Sequence, residues 1–193
     1  MADIRFVTSN EHKFEEVRRM FEKRKINVSW VRVKYEEPRG ETNREIALKS
    51  AQILIREGFV DPPFFVEDSG LFIRCLGGFP GPYSSYVFKK IGCKGILRLM
   101  NNETDRSAEF VSSIVFVTNS RRTFVIEGRV HGTISRSVRG GGWGFDPIFQ
   151  PNGAGGLTFG ELREHKDRFS HRGRAVGKLI SIIESLSSEG NNF

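Results

Sequence analysis

An uninterrupted apolar run, Phe64-Phe65-Val66, limits the folds open to this chain. Side chains alternate between the two faces of a strand, so a strand that is apolar at successive positions has both faces buried. The run therefore predicts a sheet that is covered on both sides. Two adjacent acids, Glu67 and Asp68, follow it directly, and Ser69-Gly70 then indicates the end of the strand.

Strand-like and helix-like segments alternate along most of the chain. A helical apolar period follows the first strand, Ile4–Val7, and Thr42 with Glu45 three residues later predicts the start of a second helix. Residues 110–118 and 123–134 have the pattern of two long, paired strands. This order predicts an α/β fold with a mixed, twisted sheet. Further strands are expected at residues 28–35 and 71–76, and further helices at residues 84–91, at residues 94–100 and after Ser170.

Chain length and composition indicate a globular protein. The 193 residues suggest one domain, with or without a small lobe. Hydrophobic residues make up 38% and charged residues 27%, which is typical of a soluble, folded chain. No apolar run approaches the roughly 18 residues that a membrane-spanning helix needs. The first residues show no secretory pattern, so a cytoplasmic location is expected.

The charge balance favours anionic partners. There are 30 lysines and arginines against 23 acids, which gives a net charge of +7. The basic residues are scattered, so a dedicated nucleic-acid-binding tail is not expected. The two cysteines, Cys75 and Cys93, form no CxxC pair and are expected to be buried or half-buried thiols.

A first polar cluster, Thr8-Ser9-Asn10 with Lys13, lies between the first strand and the first helix. A helix N-terminus presents free N–H groups and a positive dipole end, which suit a phosphate group. The alternative is an ordinary N-cap by Asn10, with Lys13 in solvent. The Walker pattern of P-loop proteins is absent.

The second cluster is the acidic pair that follows the apolar strand. Two acids at the end of a buried strand are costly unless they are solvated, paired or bound to metal. Alternation along the strand points Glu67 and Asp68 to opposite sides, so one of them can hold a hard cation through oxygen. The alternative is a turn that is capped by the aspartate.

A third cluster is the glycine-rich segment at residues 139–147. Its glycines allow close approach of a ligand, and Trp143 and Phe145 offer flat rings on which a base can stack. The dinucleotide fingerprint does not fit, because Pro147 and an extended stretch follow instead of a helix. The alternative is a flexible loop with buried aromatic residues.

The fourth cluster combines Lys166 with Ser170-His171-Arg172 before the last helix. Hydrogen-bonding groups gather there at one helix start. The alternative is a structural histidine beside a surface arginine. Neither HExxH nor G-x-S-x-G occurs, so a transition-metal site and serine-nucleophile chemistry are not expected.

Taken in order, these motifs resemble the inosine triphosphate pyrophosphatase family. The resemblance covers the chain from Ile4 to about Ile183. The motifs are Thr8-Ser9-Asn10-x-x-Lys13, Glu67-Asp68-Ser69-Gly70-Leu71, Gly78-Phe79-Pro80-Gly81-Pro82-Tyr83-Ser84, Gly144-Phe145-Asp146-Pro147-Ile148-Phe149 and Ser170-His171-Arg172.

The resemblance implies a single pyrophosphatase domain over residues 1–193. Its fold would be a long, twisted mixed sheet flanked by helices, with two lobes and a central cleft. The implied enzyme is a magnesium-dependent homodimer. It would hydrolyse the triphosphates of inosine, deoxyinosine and xanthosine to the monophosphate and pyrophosphate, and so cleanse the nucleotide pool.

The resemblance also implies roles for individual residues. Asp68 would activate water and bind Mg²⁺, with Glu37 as a second metal-linked acid. The residues expected to hold the triphosphate are Thr8, Ser9, Asn10 and Lys13. The residues expected to lie against the substrate, enclose the base or read its edge are Ser69, Trp143, Gly144, Phe145, Asp146, Lys166, His171 and Arg172.

The chain departs from the family pattern at two positions and leaves two other functions open. Arg39 stands where the family often has glutamine, and Gly160 stands where it often has alanine. One alternative function is a pyrophosphatase for other modified nucleotides, such as pyrimidines. The other is a basic nucleic-acid-binding module, which would bind DNA or RNA with a steep salt dependence.

Overall fold

The structure is a computed structural model that describes residues 3–188. The strands are β1 (Ile4–Val7), β2 (Val28–Val31), β3 (Phe64–Ile73), β4 (Pro80–Gly81), β5 (Ser107–Val117), β6 (Thr123–Ile134) and β7 (Phe149–Pro151). The α-helices are α1 (Glu11–Glu22), α2 (Asn43–Arg56), α3 (Ser84–Leu99), α4 (Phe159–Leu162) and α5 (His171–Ser188). Short 3₁₀ turns lie at Arg74–Leu76, Asp146–Ile148 and Arg163–Arg168.

Within residues 3–188 the strands form one seven-stranded sheet in the order β2-β1-β3-β5-β6-β7, with β4 paired to β3. β1 is parallel to both β2 and β3, whereas β4 and β7 are antiparallel to their partners. The sheet is therefore mixed, and the predicted α/β class is confirmed. No helix in this part of the chain is long and apolar enough to cross a membrane.

β3 continues through the acidic pair, where the sequence predicted that it ends. β1 pairs with its first half at Phe64 to Val66, and β4 pairs with its second half at Leu71 and Phe72. Between these two paired halves, Glu67 and the residues after it remain in the extended backbone of one strand. The interpretation of this motif as a capped turn is therefore wrong, and Asp68 lies in the middle of a strand.

Two other predicted strands are shorter than expected. β2 ends at Val31 and not at residue 35, because its partner β1 ends at Val7, opposite Val31. Residues 74–76 form a 3₁₀ turn in place of an extended segment. The two predicted short helices of α3 are separated, as expected, by a non-helical residue, Gly92.

Helix caps follow the sequence closely. The side chain of Asn10 accepts the N–H of Lys13 at the start of α1, and the Thr42 side chain accepts the N–H of Glu45 in α2. Glu45 bonds back to the N–H of Glu41, so only half of the predicted capping box forms. The hydroxyl of Ser170 accepts the N–H of Gly173, which confirms the predicted start of α5.

Contacts divide the chain into two compact units. The first comprises the described residues up to Asp68, Ser112–Glu127 and the residues from Ala175. The second comprises Ser69–Val111 and Gly128–Arg174. The boundaries fall inside β3 and β5, inside β6, and within the first turns of α5.

The first unit has a hydrophobic cluster on each face of its strands. Phe65 stacks on Phe6 with ring centroids 4.5 Å apart and packs with α1 and α5. Its neighbours Phe64 and Val66 point the other way and pack with α2. The prediction that this apolar strand is covered on both sides is thus confirmed.

The second unit is built around an aromatic cluster. Phe110 of β5 lies 4.9 Å from Phe149 of β7, and Phe149 lies 5.0 Å from Phe159 of α4, measured between ring centroids. Gly132 of β6 lies opposite Pro151 of β7. A Cβ at Gly132 would overlap the backbone carbonyl of Gln150, so the pairing of β6 with β7 requires glycine there.

We therefore expect Gly132→Ala to lower the free energy of unfolding by about 1–3 kcal/mol, because a rigid backbone cannot move aside. Gly177→Ala is the matched control. Gly177 is exposed on α5 with open space around its Cα, so alanine should stabilise by about 0.5–1 kcal/mol. Urea unfolding followed by circular dichroism measures both. Equal effects of the two variants would contradict the prediction.

Candidate active site

The turn between β1 and α1 is held by its own side chains. The Thr8 hydroxyl accepts the N–H of Asn10 at 3.1 Å, and the Asn10 side chain accepts the N–H of Lys13 at 3.2 Å. Ser9 is exposed at the tip. The N-cap interpretation of Asn10 is correct, and the turn also presents an ordered helix N-terminus beside a lysine.

Lys13 lies in a buried ion pair. Its Nζ is 2.9 Å from Oε2 of Glu67 and 3.3 Å from the Glu67 carbonyl oxygen. The Glu67 side chain is fully buried, and its other carboxylate oxygen accepts a 2.6 Å hydrogen bond from Ser112 of β5. The alternative that placed Lys13 in solvent is therefore wrong. β3 supplies a fixed carboxylate that holds the ammonium group in place.

Asp68 is the half-buried neighbour of that pair. Its Oδ2 accepts a 2.7 Å hydrogen bond from Nδ2 of Asn43, the first residue of α2. Desolvation raises the pKa of Asp68 to about 6, although Lys13 and the Asn43 hydrogen bond lower it. The charges of Glu67 and Glu37 raise it further. A carboxyl group that titrates near neutral pH suits a general base.

Glu37 lies exposed in the segment between β2 and α2. Desolvation is the largest cause of the raised pKa of both Asp68 and Tyr35. The charge of Glu37 raises both pKa values further. The carboxylates of Glu37 and Asp68 repel each other, so they form an oxygen donor pair that a hard divalent cation would stabilise. No group of three or more His, Cys, Asp or Glu that could hold a metal occurs between residues 3 and 188. Mg²⁺ needs only one or two carboxylates, so the donor set fits it.

In the second unit, the glycine-rich segment folds around Asp146. The Asp146 carboxylate is 2.8 Å from Nζ of Lys166, and both side chains are less than a tenth exposed. The same carboxylate accepts the N–H of Trp143 at 3.4 Å. A Cβ at Gly142 would lie 2.9 Å from this carboxylate, so glycine permits the close wrapping. The segment is an ordered loop anchored by an ion pair.

The two aromatic residues of this loop have different environments. Trp143 is half-buried, and its ring lies 5.1 Å from Nζ of Lys166. Phe145 is 3% exposed and packs edge-on against Phe88, 5.3 Å away between ring centroids. The expectation that a base stacks on Phe145 needs correction, because its ring belongs to the core. Gly144 lies between them, and its carbonyl accepts a hydrogen bond from the Cys93 thiol.

The start of α5 carries two buried polar side chains, His171 and Arg172. The ring of His171 stacks on Phe110 at 4.5 Å. Arg172 is fully buried, its guanidinium donates to the Ser69 hydroxyl at 2.9 Å, and its Cζ lies 5.3 Å from the Trp143 ring. The alternative of a surface arginine is therefore wrong. Ser69, Trp143 and Arg172 meet within the second unit.

Sequence reasoning did not assign three residues that shape these clusters: Asn43, Glu67 and Ser112. The burial of one acid of the pair could have been predicted, because alternation along β3 must turn either Glu67 or Asp68 inward. Asn43 follows a predicted N-cap, but nothing in its spacing shows where its side chain points. Ser112 lies in the strand beside β3, and only strand register places its hydroxyl against Glu67.

The fold and these clusters define a class: an α/β protein with acids and a lysine gathered in one unit and buried cationic and aromatic side chains in the other. A model of the Ham1 family matches residues 4–182. The chain therefore belongs to the Ham1 family, and the resemblance inferred from the motifs is confirmed.

Relatives named as dITP/XTP pyrophosphatases are similar over nearly their whole length. The dITP/XTP pyrophosphatase of Korarchaeum cryptofilum is 53% identical, over 95% of this chain and 97% of that protein. The dITP/XTP pyrophosphatase of Thermococcus kodakarensis is 47% identical, over 94% and 97%. Among solved structures, a HAM1 protein from Coxiella burnetii gives a TM-score of 0.80 at 26% identity, over 96% of this chain and 100% of that one.

The raised pKa of Asp68 predicts a cost in stability for the metal-free protein. Desolvation raises the folded-state pKa of Asp68 from the ordinary value of 3.8 to about 6, so the folded state favours the protonated carboxyl. Above pH 6 the ionised group therefore destabilises the fold. We expect Asp68→Asn to raise stability by about 1–3 kcal/mol at pH 8, and to have no such effect below about pH 4.

Thermal unfolding at pH 4 and pH 8 with a chelator present measures this difference. Glu67→Gln is the control with the opposite sign, because it breaks a buried ion pair and should destabilise at pH 8. A Tm of Asp68→Asn at or below that of the wild type at pH 8 would show that burial of the charge is not costly.

Proposed function

We propose that this protein hydrolyses non-standard purine nucleoside triphosphates, namely ITP, dITP and XTP, to the monophosphate and pyrophosphate. The observation that carries the proposal is the environment of Asp68. It is a half-buried carboxyl that titrates near neutrality, beside a buried lysine–glutamate pair. The names of the relatives, dITP/XTP pyrophosphatases at 53% and 47% identity, support the same substrate class.

In the proposed reaction, Asp68 acts as the general base. Its carboxylate accepts a proton from water as the water oxygen attacks the α-phosphorus, and pyrophosphate leaves with the electron pair of the broken P–O bond. Lys13 and the N-terminus of α1 neutralise the triphosphate charge as it shifts toward the leaving group. The buried Glu67 keeps the Lys13 ammonium group in position, so no reorganisation is needed during the reaction.

Mg²⁺ is the proposed cofactor, and Glu37 and Asp68 are the residues that would hold it. When bound, it would polarise the phosphate oxygens and offset their negative charge. Repulsion between the two carboxylates, which raises the pKa of Asp68, supports this assignment.

The cluster in the second unit suits recognition of a base. Trp143 offers a half-buried ring face, and the guanidinium of Arg172 and the ammonium of Lys166 are buried donors. Hypoxanthine and xanthine present a 6-oxygen acceptor, whereas adenine presents a 6-amino donor. A donor left facing another donor costs about 1–3 kcal/mol, and several such mismatches multiply the discrimination.

We also propose that the protein is a cytoplasmic homodimer. Three large aromatic side chains are exposed in and just before the first turn of α3: Phe79, Tyr83 and Tyr86 are 41–63% exposed. Exposed aromatic groups that are near one another in the chain favour an interface with another copy. The two cysteines are free thiols, which is typical of a reducing compartment.

The decisive measurement is pyrophosphate release from ITP and from ATP, with and without Mg²⁺. We expect metal-dependent release from ITP. Asp68→Asn should lower kcat by about 10²–10⁴-fold while nucleotide binding is retained, since only proton acceptance is lost. The exposed Asp61 offers a matched control, and Asp61→Asn should behave as wild type. Turnover of Asp68→Asn at the wild-type rate would exclude Asp68 as the base.

Arg172 is expected to set the preference for a 6-oxygen. Arg172→Ala should lower the ratio of kcat/KM for ITP to that for ATP by about 10–100-fold, because a buried donor is removed. Arg174→Ala, which changes an exposed arginine on the same helix, should leave the ratio unchanged. If Arg172→Ala retains the full preference for ITP, the base is read by other groups.

A further inference from the structure

Asn43 is a buried polar residue in an unusual setting. It is 1% exposed, and its Nδ2 donates to Oδ2 of Asp68 at 2.7 Å. Its own Oδ1 is buried and accepts no hydrogen bond from the described residues. A buried acceptor without a donor disfavours the folded state, so an apolar side chain would suit this position better if packing alone mattered. The placement of an asparagine there points to a role for its N–H group.

The bond between Asn43 and Asp68 joins two rigid elements. Asn43 is the first residue of α2, whose start is fixed by the Thr42 cap and whose inner face packs in the first unit through Ala47 and Leu54. Asp68 lies in β3, which is paired with its neighbours on both halves. The donor is thus carried by a helix, and its position relative to the carboxylate is set by the fold.

The other neighbours of Asp68 act on it through charge and leave its orientation free. Lys13 attracts the carboxylate, and Glu67 and Glu37 repel it. Within residues 3–188, the hydrogen bond from Asn43 is the one that fixes a carboxylate oxygen of Asp68. With Oδ2 held in this way, Oδ1 is the oxygen that remains to accept a proton.

We propose that Asn43 is a positioning residue, which holds Oδ2 of Asp68 so that Oδ1 is presented to the attacking water. The inference rests on the proposed pyrophosphatase function. In the reaction, the water O–H bond breaks and its proton goes to Oδ1 of Asp68. The water oxygen forms the new bond to the α-phosphorus, and the bond to pyrophosphate breaks. Asn43 contacts neither substrate nor water and acts through Asp68.

Asn43→Leu tests the inference, because leucine has a similar size and removes the donor. We expect kcat for ITP to fall about 10–100-fold, which is the usual loss when a partner that orients a functional group is removed. KM for ITP, and the Kd of a non-hydrolysable α,β-imido analogue of ITP, should stay within about threefold of wild type because binding groups are untouched. Circular dichroism gives the folded fraction to which kcat is normalised.

Ser50→Ala is the matched control. Ser50 is a buried polar residue of the same helix, and its hydroxyl bonds to Tyr35 and not to Asp68. The Ser50→Ala variant should be less stable than the wild type but should have the same kcat. An equal fall in kcat for Ser50→Ala and Asn43→Leu would mean that any defect in α2 slows turnover, and would overturn the specific role.

Asn43→Ala keeps the inference testable if the leucine variant does not fold. Alanine is the best helix former, and it removes the donor without adding a charge or bulk. It should lower kcat at least as far as leucine. Folded Asn43 variants with kcat within twofold of an active wild type would overturn this inference alone. A wild type that releases no pyrophosphate would overturn the proposed function and the inference with it.

Discussion

The buried ion pair between Lys13 and Glu67 is the interaction on which the first unit's chemistry depends. Glu67 lies in the middle of β3, where an unpaired carboxylate would strongly disfavour folding. Its two oxygens are held by Lys13 and by Ser112, so the charge is compensated from α1 on one side and β5 on the other. The pair and the Ser112 hydrogen bond therefore link α1 and β5 to the middle of β3. They also hold the Lys13 ammonium group near Asp68 while Glu67 stays buried.

The surroundings of Asp68 disfavour the ionised form of its carboxyl group. Alternation along β3 turns it to the side opposite Glu67, where desolvation is the main cause that disfavours its ionised form and the charges of Glu67 and Glu37 add to it. The same features that destabilise the ionised carboxylate make it a base near neutral pH. The orphaned Oδ1 of Asn43 adds a second local departure from good packing. Such departures are common where a fold maintains a reactive group.

In the second unit, an ion pair and a hydrogen bond hold the glycine-rich segment, residues 139–147, in one conformation. The Asp146–Lys166 pair fixes its middle, and the carboxylate also takes the N–H of Trp143. Gly142 permits the approach, because a side chain there would meet the carboxylate. Arg172, buried beside the Trp143 ring and bonded to Ser69, completes a set of cationic groups that contacts within the unit hold in place.

The sequence by itself determined the family, the helix caps at Asn10, Thr42 and Ser170 and the two long strands, because apolar periodicity, helix caps and motif order are local properties. It predicted the doubly covered strand at Phe64, the start of α5 at Ser170 and the break in α3. Only the tertiary structure decided that β3 continues through Asp68, since that depends on pairing with β1, which is distant in sequence, and with β4. It also decided which side chain Asn43 contacts. A hydrogen bond across 25 positions is set by the packing of a helix on a sheet, which no local pattern records.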